Sequence, residues 1–278
     1  MNDGFIDLGA ERLECLRIAP ERRGRTVVFL HEGLGSVAAW RDFPRSLCDR
    51  LDAPGFVYSR RGYGRSTPEP QPRGTDYLHR EAHEVLPALL AAAGIESPLL
   101  VGHSDGGSIA LLHAAQAGAE HVGSPAAVAV MAPHVRVEEV TLQGIRAARI
   151  AWGVGGPQGR LQASLAALHA DPAAVFFGWN DAWLDPAFSQ WNIERELERI
   201  ACPVLAIQGH QDEYATMDQL DRIARAVAGP CRLLKLADCG HAPHRDQPQA
   251  VIEAIAQLYA DVRDLRDARE HAWTCPPI

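Results

Sequence analysis

Residues 99–112 read LLVGHSDGGSIALL, and this stretch decides the fold. Its apolar start at 99–101 is typical of a buried β-strand, and the apolar residues after the paired glycines predict a helix. The turn between them has the pattern Gly-x-Ser-x-Gly, with Ser104 between Gly102 and Gly106. Because so tight a turn has no room for side chains at the glycines, it exposes the serine hydroxyl beside the N–H groups that begin the helix. The stretch predicts either a strand–turn–helix unit that presents a nucleophile or a glycine-rich turn with a surface serine.

Strand and helix patterns alternate on both sides of this unit. The other predicted strands are 5–8, 13–18, 26–30, 55–59, 126–131, 203–207 and 231–236. The other predicted helices are 37–51, 76–93, 217–228 and 246–265, and the last dozen residues are expected to form a tail. The first two strands predict an antiparallel hairpin, and Pro44 indicates an alternative start for the first helix. The alternation as a whole predicts an α/β fold with a mostly parallel central sheet flanked by helices.

The stretch 135–200 has no strand pattern and predicts several helices separated by glycines and Asp-Pro pairs. It is rich in aromatic residues that lie close together in sequence, namely Phe176, Phe177, Trp179, Trp183, Phe188 and Trp191. We expect at least half of these rings to form the core of the helical stretch itself.

Charge and composition exclude several functional classes. The net charge is −8 and the pI is about 5.8, which argues against a nucleic acid partner and against an anionic membrane surface. No stretch approaches the roughly twenty apolar residues that span a bilayer, and the first residues have no features of a signal peptide. The six cysteines have no C-x-x-C spacing and are expected to be reduced, mostly buried thiols of a cytoplasmic protein.

Three residues of complementary chemistry each follow a predicted strand. They are Ser104, Asp212 and His241, and active groups of parallel sheets collect at these carboxyl ends. A serine needs a base to become a nucleophile, and a histidine can take its proton while a carboxylate holds the other ring nitrogen. The order serine, acid, histidine therefore predicts a nucleophilic triad.

These motifs resemble those of the α/β-hydrolase superfamily, in its branch of small bacterial esterases and carbon–carbon bond hydrolases with a helical cap. The resemblance runs from about residue 26 to 258. It rests on the motifs HEGLG at 31–35, RGYGRS at 61–66, GHSDG at 102–106, Gly209-x-x-Asp212 and Gly240-His241. It implies that Ser104 is the nucleophile, Asp212 the orienting acid and His241 the base.

The resemblance also implies an oxyanion hole. One donor is the backbone N–H of Asp105, and the second comes from the loop after the first parallel strand. Glu32 stands where that loop has a glycine in the family, so the second donor is open between Leu34, our first choice, and Gly33.

The same resemblance implies a domain organisation. The stretch 135–200 falls where the family inserts its helical cap, so residues 1–134 and 201–278 would form the core domain. A cap closes over the serine, so Trp179 and Trp183 are expected to line an apolar acyl or aryl pocket, together with His31 at the end of a core strand.

Other residues compete for these roles. His244 is an alternative base, and Glu213 and Asp238 are alternative acids. His79 and His83 have a spacing that can bind zinc, but no third ligand is evident, so no metal is expected. The Gly62-x-Gly64 pair matches too little of a dinucleotide-binding loop to predict a cofactor.

We therefore expect a serine hydrolase that cleaves a carboxylic ester or related acyl bond of a small molecule. The alternatives are hydrolysis of a carbon–carbon bond in a ring-cleavage diketone and a non-catalytic binding protein on the same fold. The run 104–107 also resembles that of a family member that hydrolyses valacyclovir, in which the aspartate receives the substrate's ammonium group. Asp105 would thus bind an amine, or it pairs with an arginine such as Arg61 or Arg65.

Overall fold

The central element is an eight-stranded sheet. The computed structural model describes residues 2–117, 123–154 and 159–272. The strands are β1 (Asn2–Leu8), β2 (Glu11–Ile18), β3 (Val27–Leu30), β4 (Gly55–Tyr58), β5 (Leu99–His103), β6 (Ala127–Met131), β7 (Val204–Gly209) and β8 (Cys231–Leu236). They lie in the order β1-β2-β4-β3-β5-β6-β7-β8. The first two form the predicted antiparallel hairpin, and all pairs from β4 to β8 are parallel. The predicted α/β fold is confirmed.

Helices cover both faces of this sheet. They are α1 (Phe43–Leu51), α2 (Tyr77–Arg80), α3 (Leu86–Ala93), α4 (Asp105–Ala117), α5 (Glu139–Gly153), α6 (Arg160–Ala166), α7 (Pro172–Leu184), α8 (Glu194–Leu197), α9 (Asp218–Ala226), α10 (Pro243–Asp246) and α11 (Pro248–Ala272). Side chains along each strand alternate between two apolar cores: Val28 and Leu30 pack with α3 and α4, whereas Val27 and Phe29 pack with α1 and α11. Burial on both faces explains why the central strands read as continuous apolar runs.

The predicted helix 37–51 is two elements. A 3-10 turn at Ala38–Trp40 ends where Arg41 takes a φ of 54°, and α1 then begins with Pro44 in its first turn. Proline lacks a backbone N–H and fits only the start of a helix, so the alternative that Pro44 indicated is the one observed.

Two other helices differ from their predicted form. Between α2 and α3 the chain makes a π-helical turn at Glu81–Val85, and Gly94 then ends α3 with a φ of 67°. The closing helix α11 extends to Ala272, so the predicted tail is wrong up to that residue, and 273–278 lie outside the described residues.

The stretch 135–200, which we call the helical segment, stands between β6 and β7. Its described residues form α5 to α8 and a 3-10 turn at Pro186–Gln190. Its entry and exit are joined by backbone hydrogen bonds, from the Ile193 N–H to the Val135 oxygen at 2.8 Å and from the Val137 N–H to the Trp191 oxygen at 3.2 Å. The division of the chain into core and cap domains stays a prediction.

Among the described residues, no helix has the length and apolar character needed to cross a membrane. Five of the six cysteines are described, and all five are free thiols; Cys275 lies outside the described residues.

The turn at Ser104 depends on close backbone packing. A Cβ on Gly102 would lie 2.3 Å from the Gly106 oxygen, and one on Gly106 would lie 2.0 Å from the oxygen of Leu30 on β3. Both distances are far inside van der Waals contact, so only glycine lets α4 start against the ends of β3 and β5.

We predict that Gly106→Ala lowers the free energy of unfolding by about 1–3 kcal/mol or prevents folding, because its methyl group would overlap the backbone of β3. The matched control is Gly4→Ala on β1, where an added Cβ meets nothing within 4 Å. Urea unfolding of both variants measures the difference. Equal stability of the two would contradict the packing argument.

Candidate active site

Ser104 stands at the sharp turn between β5 and α4. It has a φ of 53°, in the left-handed region that non-glycine residues rarely adopt. The turn is held by its own backbone: the Ser104 N–H donates to the Met131 oxygen at 2.9 Å, and the Ser104 oxygen accepts from the Gly107 N–H at 2.8 Å. This strained backbone at the end of a central strand directs the hydroxyl away from the sheet.

The three residues of the predicted triad lie in one chain of hydrogen bonds. His241 Nε2 is 3.0 Å from Ser104 Oγ, and His241 Nδ1 is 2.8 Å from Asp212 Oδ1. Because a carboxylate only accepts, Nδ1 carries the proton and Nε2 is free to accept from the serine hydroxyl. Asp212 is itself held by the backbone N–H groups of Tyr214 and Ala215, at 2.8 and 3.2 Å.

Charge coupling shifts the pKa values of both partners. Burial by itself lowers the pKa of His241, but the hydrogen bond and the charge of Asp212 outweigh it and raise the pKa above its ordinary value. Burial likewise raises the pKa of Asp212, and the bond to His241 outweighs it, so the pKa of this carboxyl falls. The acid is therefore ionised at neutral pH and holds the imidazole in one orientation.

The alternative base and acids take no part in this chain of hydrogen bonds. His244 is buried, with its ring 5.0 Å from that of Trp40 and 4.8 Å from that of His103, and burial lowers its pKa well below the ordinary value. Glu213 accepts from the backbone N–H of His241 at 3.3 Å and makes no hydrogen bond to its ring. Asp238 is exposed. The structure thus brings together the residues chosen first from the sequence.

The loop after β3, residues 31–35, is called the oxyanion loop below, after the role that the sequence predicts for it. It contains a tight turn in which the Gly35 N–H donates to the Glu32 oxygen at 3.1 Å. The guanidinium of Arg60 donates to the backbone oxygens of His31 and Glu32 and so holds the loop from beneath. Gly33 and Leu34 border the same cavity as Ser104 and Asp105, so both stay candidates for the second donor.

His31 does not border that cavity, so the expectation that it lines the pocket is wrong. Its ring is fully buried; Nε2 accepts from the Arg60 backbone N–H at 3.1 Å, and Nδ1 donates to the Glu32 oxygen at 2.7 Å. Burial also lowers its pKa well below the ordinary value, so the ring is neutral. Its position at a strand end indicated a site residue, but both ring nitrogens are used to build the oxyanion loop.

The Asp105 carboxylate pairs with an arginine that differs from the two proposed from the sequence. Oδ2 accepts from the Tyr77 hydroxyl at 2.7 Å and lies 3.9 Å from the Arg60 guanidinium. Arg61 and Arg65 instead pair with Glu11 and Glu14. Burial raises the pKa of Asp105 against the opposing effects of Arg60 and Tyr77. Oδ1 is buried and makes no hydrogen bond of ordinary geometry among the described residues, but the Trp183 side chain interacts with this carboxylate and also opposes the rise of its pKa.

The cavity above Ser104 has a volume of about 370 Å³. Residues of the helical segment border it, among them Trp179 and Trp183 of α7 and Ile145 of α5, and this part of the lining is called the roof below. An added Cβ on Gly33 would lie 2.2 Å from Trp179, so the indole packs directly on the oxyanion loop. The lining is more polar than predicted, since it includes four acids, Glu32, Asp105, Glu213 and Asp246, and one arginine, Arg245.

His134 is a lining residue that the sequence analysis missed. It follows β6, and its ring lies 5.9 Å from that of His241 and 5.1 Å from that of Trp183. Burial, aided by the charge of His241, lowers its pKa to about 3, so the ring is neutral at physiological pH. The predicted strand at 126–131, which ends just before this residue, was the available signal, but no motif marked the residue.

The described residues contain no group of three or more His, Cys, Asp or Glu side chains arranged to hold a metal ion. The rings of His79 and His83 lie 5.7 Å apart, with a Glu196 oxygen 3.9 Å from His79.

Comparisons with known proteins agree with this architecture. A model of the Alpha/beta hydrolase family matches residues 27–254. The Alpha/beta hydrolase domain-containing protein WAV2 of Arabidopsis thaliana is 30% identical over 96 residues, which are 34% of this chain and 30% of that protein. This chain therefore spans less than a third of that curated relative.

Solved structures show the same fold across nearly the whole chain. Proline iminopeptidase of Mycobacterium smegmatis has a TM-score of 0.72 at 19% identity, over 94% of this chain and 98% of that one. An esterase of Thermogutta terrifontis has 0.71 at 18%, over 94% and 99%. The 2-hydroxy-6-oxo-6-phenylhexa-2,4-dienoate hydrolase of Rhodococcus sp. strain RHA1 has 0.73 at 17%, over 93% and 98%. These likenesses confirm the α/β-hydrolase fold.

We predict that Asp212→Asn lowers the pKa of His241 by about 1–3 units, because the amide removes the charge that offsets burial of the imidazolium. Histidine side-chain NMR titration of the folded protein measures the shift. The control is Glu213→Gln, which removes the next most important charge and is expected to change the pKa less. A His241 pKa that does not respond to Asp212→Asn would refute the electrostatic coupling.

Proposed function

The chain belongs to the alpha/beta hydrolase family, and from this premise we propose that it is a serine hydrolase acting on a carboxylic ester or related acyl bond of a small molecule. The observation that carries the proposal is the chain of hydrogen bonds from Ser104 through His241 to Asp212, at 3.0 and 2.8 Å. A histidine oriented in this way can take a proton from the serine, which alone is a poor nucleophile.

The reaction proceeds in two balanced steps. Ser104 Oγ attacks the carbonyl carbon while its proton passes to His241 Nε2, and the carbonyl π electrons move to the oxygen. The N–H groups of Asp105 and Leu34 stabilise this oxyanion until it collapses and expels the alcohol, which takes the proton from His241. Water then repeats the sequence on the acyl-enzyme, releasing the acid and restoring the serine. Asp212 keeps its charge throughout and stabilises the imidazolium.

The charges of the cavity favour ester cleavage over the carbon–carbon alternative. Four acids and one arginine line the cavity, and that arginine lies 3.9 Å from Glu32 and donates to the Ala39 oxygen at 3.0 Å. The neighbour that cleaves a dienoate acts on an anion by its name. A carboxylate-bearing diketone would meet net repulsion here, whereas a neutral or cationic ester would not.

Asp105 supports a further choice among esters. Asp105 borders the cavity; its Oδ2 accepts from Tyr77, and the Trp183 side chain is a neighbouring donor of the carboxylate. A substrate ammonium group that reached the buried Oδ1 would give this carboxylate a charge-assisted hydrogen bond. We include α-amino esters in the proposed substrate class on this ground.

We predict that Ser104→Ala abolishes labelling by a serine-directed phosphonate and lowers hydrolysis of short acyl esters by several orders of magnitude, because the nucleophile is lost. Mass spectrometry of the labelled peptide and steady-state rates measure both effects. Ser108→Ala, one helical turn further along α4, is the labelling control and is expected to retain the label. Persistent labelling of Ser104→Ala would exclude Ser104 as nucleophile, and absence of labelling and turnover in the unmodified protein would favour the non-catalytic alternative.

We predict that Asp105→Asn lowers kcat/KM for an α-amino ester about 10- to 100-fold more than for its des-amino analogue, because only the former has an ammonium group to bind. The substitution preserves size and the backbone N–H. Glu213→Gln, a second acid of the lining, is the matched control and should affect both esters alike. Equal losses on the two esters in Asp105→Asn would remove amino esters from the proposed class.

A further inference from the structure

One buried imidazole, His169, joins the helical segment to the oxyanion loop by a hydrogen bond. The Gly64 N–H donates to His169 Nδ1 at 3.0 Å, and His169 Nε2 lies 3.0 Å from the Leu34 backbone oxygen. His169 stands between α6 and α7, so a residue of the helical segment bridges the loops at Gly64 and Leu34.

The two hydrogen bonds define the state of the ring. Because Nδ1 accepts from an N–H, its proton must be on Nε2, which then donates to the Leu34 oxygen. A neutral imidazole is therefore required, since a second proton on Nδ1 would face the Gly64 N–H. Burial, the largest influence on His169, lowers its pKa and keeps this form at neutral pH.

The Leu34 oxygen belongs to the peptide next to the one that carries the Leu34 N–H. The turn from Glu32 to Gly35 has Gly33–Leu34 as its central peptide, and this peptide carries the Leu34 N–H. Arg60 fixes the peptide before it through the Glu32 oxygen, at 3.1 Å. His169 fixes the peptide after it through the Leu34 oxygen. Peptides are planar, so a central peptide between two fixed neighbours has little freedom to rotate.

The other end of the bridge is also rigid. Gly64 has a φ of 56°, and a Cβ there would lie 2.0 Å from Glu14 Oε2 and 2.5 Å from Ser59 Oγ. Its oxygen accepts from the Ala170 N–H at 2.9 Å, so the residue next to His169 is bound to the same glycine. The imidazole thus holds the Leu34 oxygen in a fixed position relative to the tightly packed loop at Gly64.

We propose that His169 is a positioning residue for the second oxyanion donor, the Leu34 N–H. It touches neither the serine nor the reacting carbonyl and acts through the loop. The inference rests on the proposed function, because a donor matters only if an oxyanion forms. Loss of the bridge leaves the Leu34–Gly35 peptide held only through the Gly35 N–H of the turn, so the donor is misplaced in the transition state more than substrate binding changes.

The test compares His169→Leu and His169→Gln with the unmodified protein. We expect His169→Leu to lower kcat for a short acyl ester by about 10- to 100-fold, somewhat less than the 10²–10³-fold typical of deleting a donor, with KM changed by less than about 3-fold. Inhibition by an alkyl boronic acid, whose serine adduct occupies the oxyanion hole, should weaken in parallel with kcat. His169→Gln keeps an acceptor and a donor and should recover part of both losses.

The matched control is His113→Gln. His113 is another buried histidine with both ring nitrogens 3.0 Å from backbone oxygens, those of Ala82 and Gly123. Its substitution should lower the melting temperature while leaving kcat and boronate affinity within about 3-fold of the unmodified values. This separates a loss of stability from a loss of positioning, and His169→Gln carries the test if the leucine variant fails to fold.

The outcomes separate the two proposals. If Ser104→Ala is inactive but both His169 variants keep kcat and boronate affinity, or lose only stability as His113→Gln does, the positioning role is overturned and the proposed function stands. If kcat and KM change together without parallel loss of boronate affinity, His169 shapes substrate binding and the inference is again wrong. If Ser104→Ala keeps full activity, the proposed function itself fails.

Discussion

The whole site depends on the contact between the Cα of Gly106 and the carbonyl of Leu30. This contact lets α4 begin at the ends of two neighbouring strands, with an added Cβ only 2.0 Å from the Leu30 oxygen. Two consequences follow from one close approach. Ser104 is forced into a left-handed backbone at the start of a helix, and the oxyanion loop, which begins directly after Leu30, is fixed beside it. The distance between nucleophile and loop is thus set by backbone packing.

Arg60 is the electrostatic counterpart of that contact. Its buried guanidinium serves two backbone oxygens of the oxyanion loop, lies 3.9 Å from Asp105 and stands 4.7 Å above the ring of Tyr63. A buried cation is costly unless several groups share it, and here a carboxylate, two carbonyls and an aromatic face do so. The same charge opposes burial, which raises the pKa of Asp105, so one side chain affects both the loop geometry and the charge of the cavity.

The parts of the site that sequence predicts are those that lie next to strand ends. Ser104, Asp212 and His241 were found because parallel strands place their following residues at one edge of the sheet, and chain order supplied the rest. The interactions of Asp105, His31 and His169 could not be read in this way. Each has a partner at least 28 residues away in sequence, and no periodicity indicates which arginine or which carbonyl a buried polar group will meet.

Helix boundaries show the same division between local and distant causes. Gly94 ends α3 as its chemistry predicts, whereas the break at Arg41 depends on a φ of 54° that no residue type there indicates.

The cavity is less apolar than the sequence predicts, because its polar lining comes from residues that are distant in sequence. Tryptophans at α7 indicated a roof, but the acids that share the lining come from four separate parts of the core and from no single motif.

The paired entry and exit of the helical segment have a consequence for how this fold can diversify. Because Val135 and Ile193 are hydrogen-bonded at 2.8 Å, the sheet meets the intervening chain as a closed loop whose ends are already together. Lengthening such a loop adds closure entropy only logarithmically, about 0.6 kcal/mol for each doubling. Natural variation can therefore replace the roof, and with it the range of accepted molecules, while β6 and β7 keep their register. A replacement without His169 would keep the sheet but would lose the hydrogen bond from the imidazole to the Leu34 oxygen of the oxyanion loop.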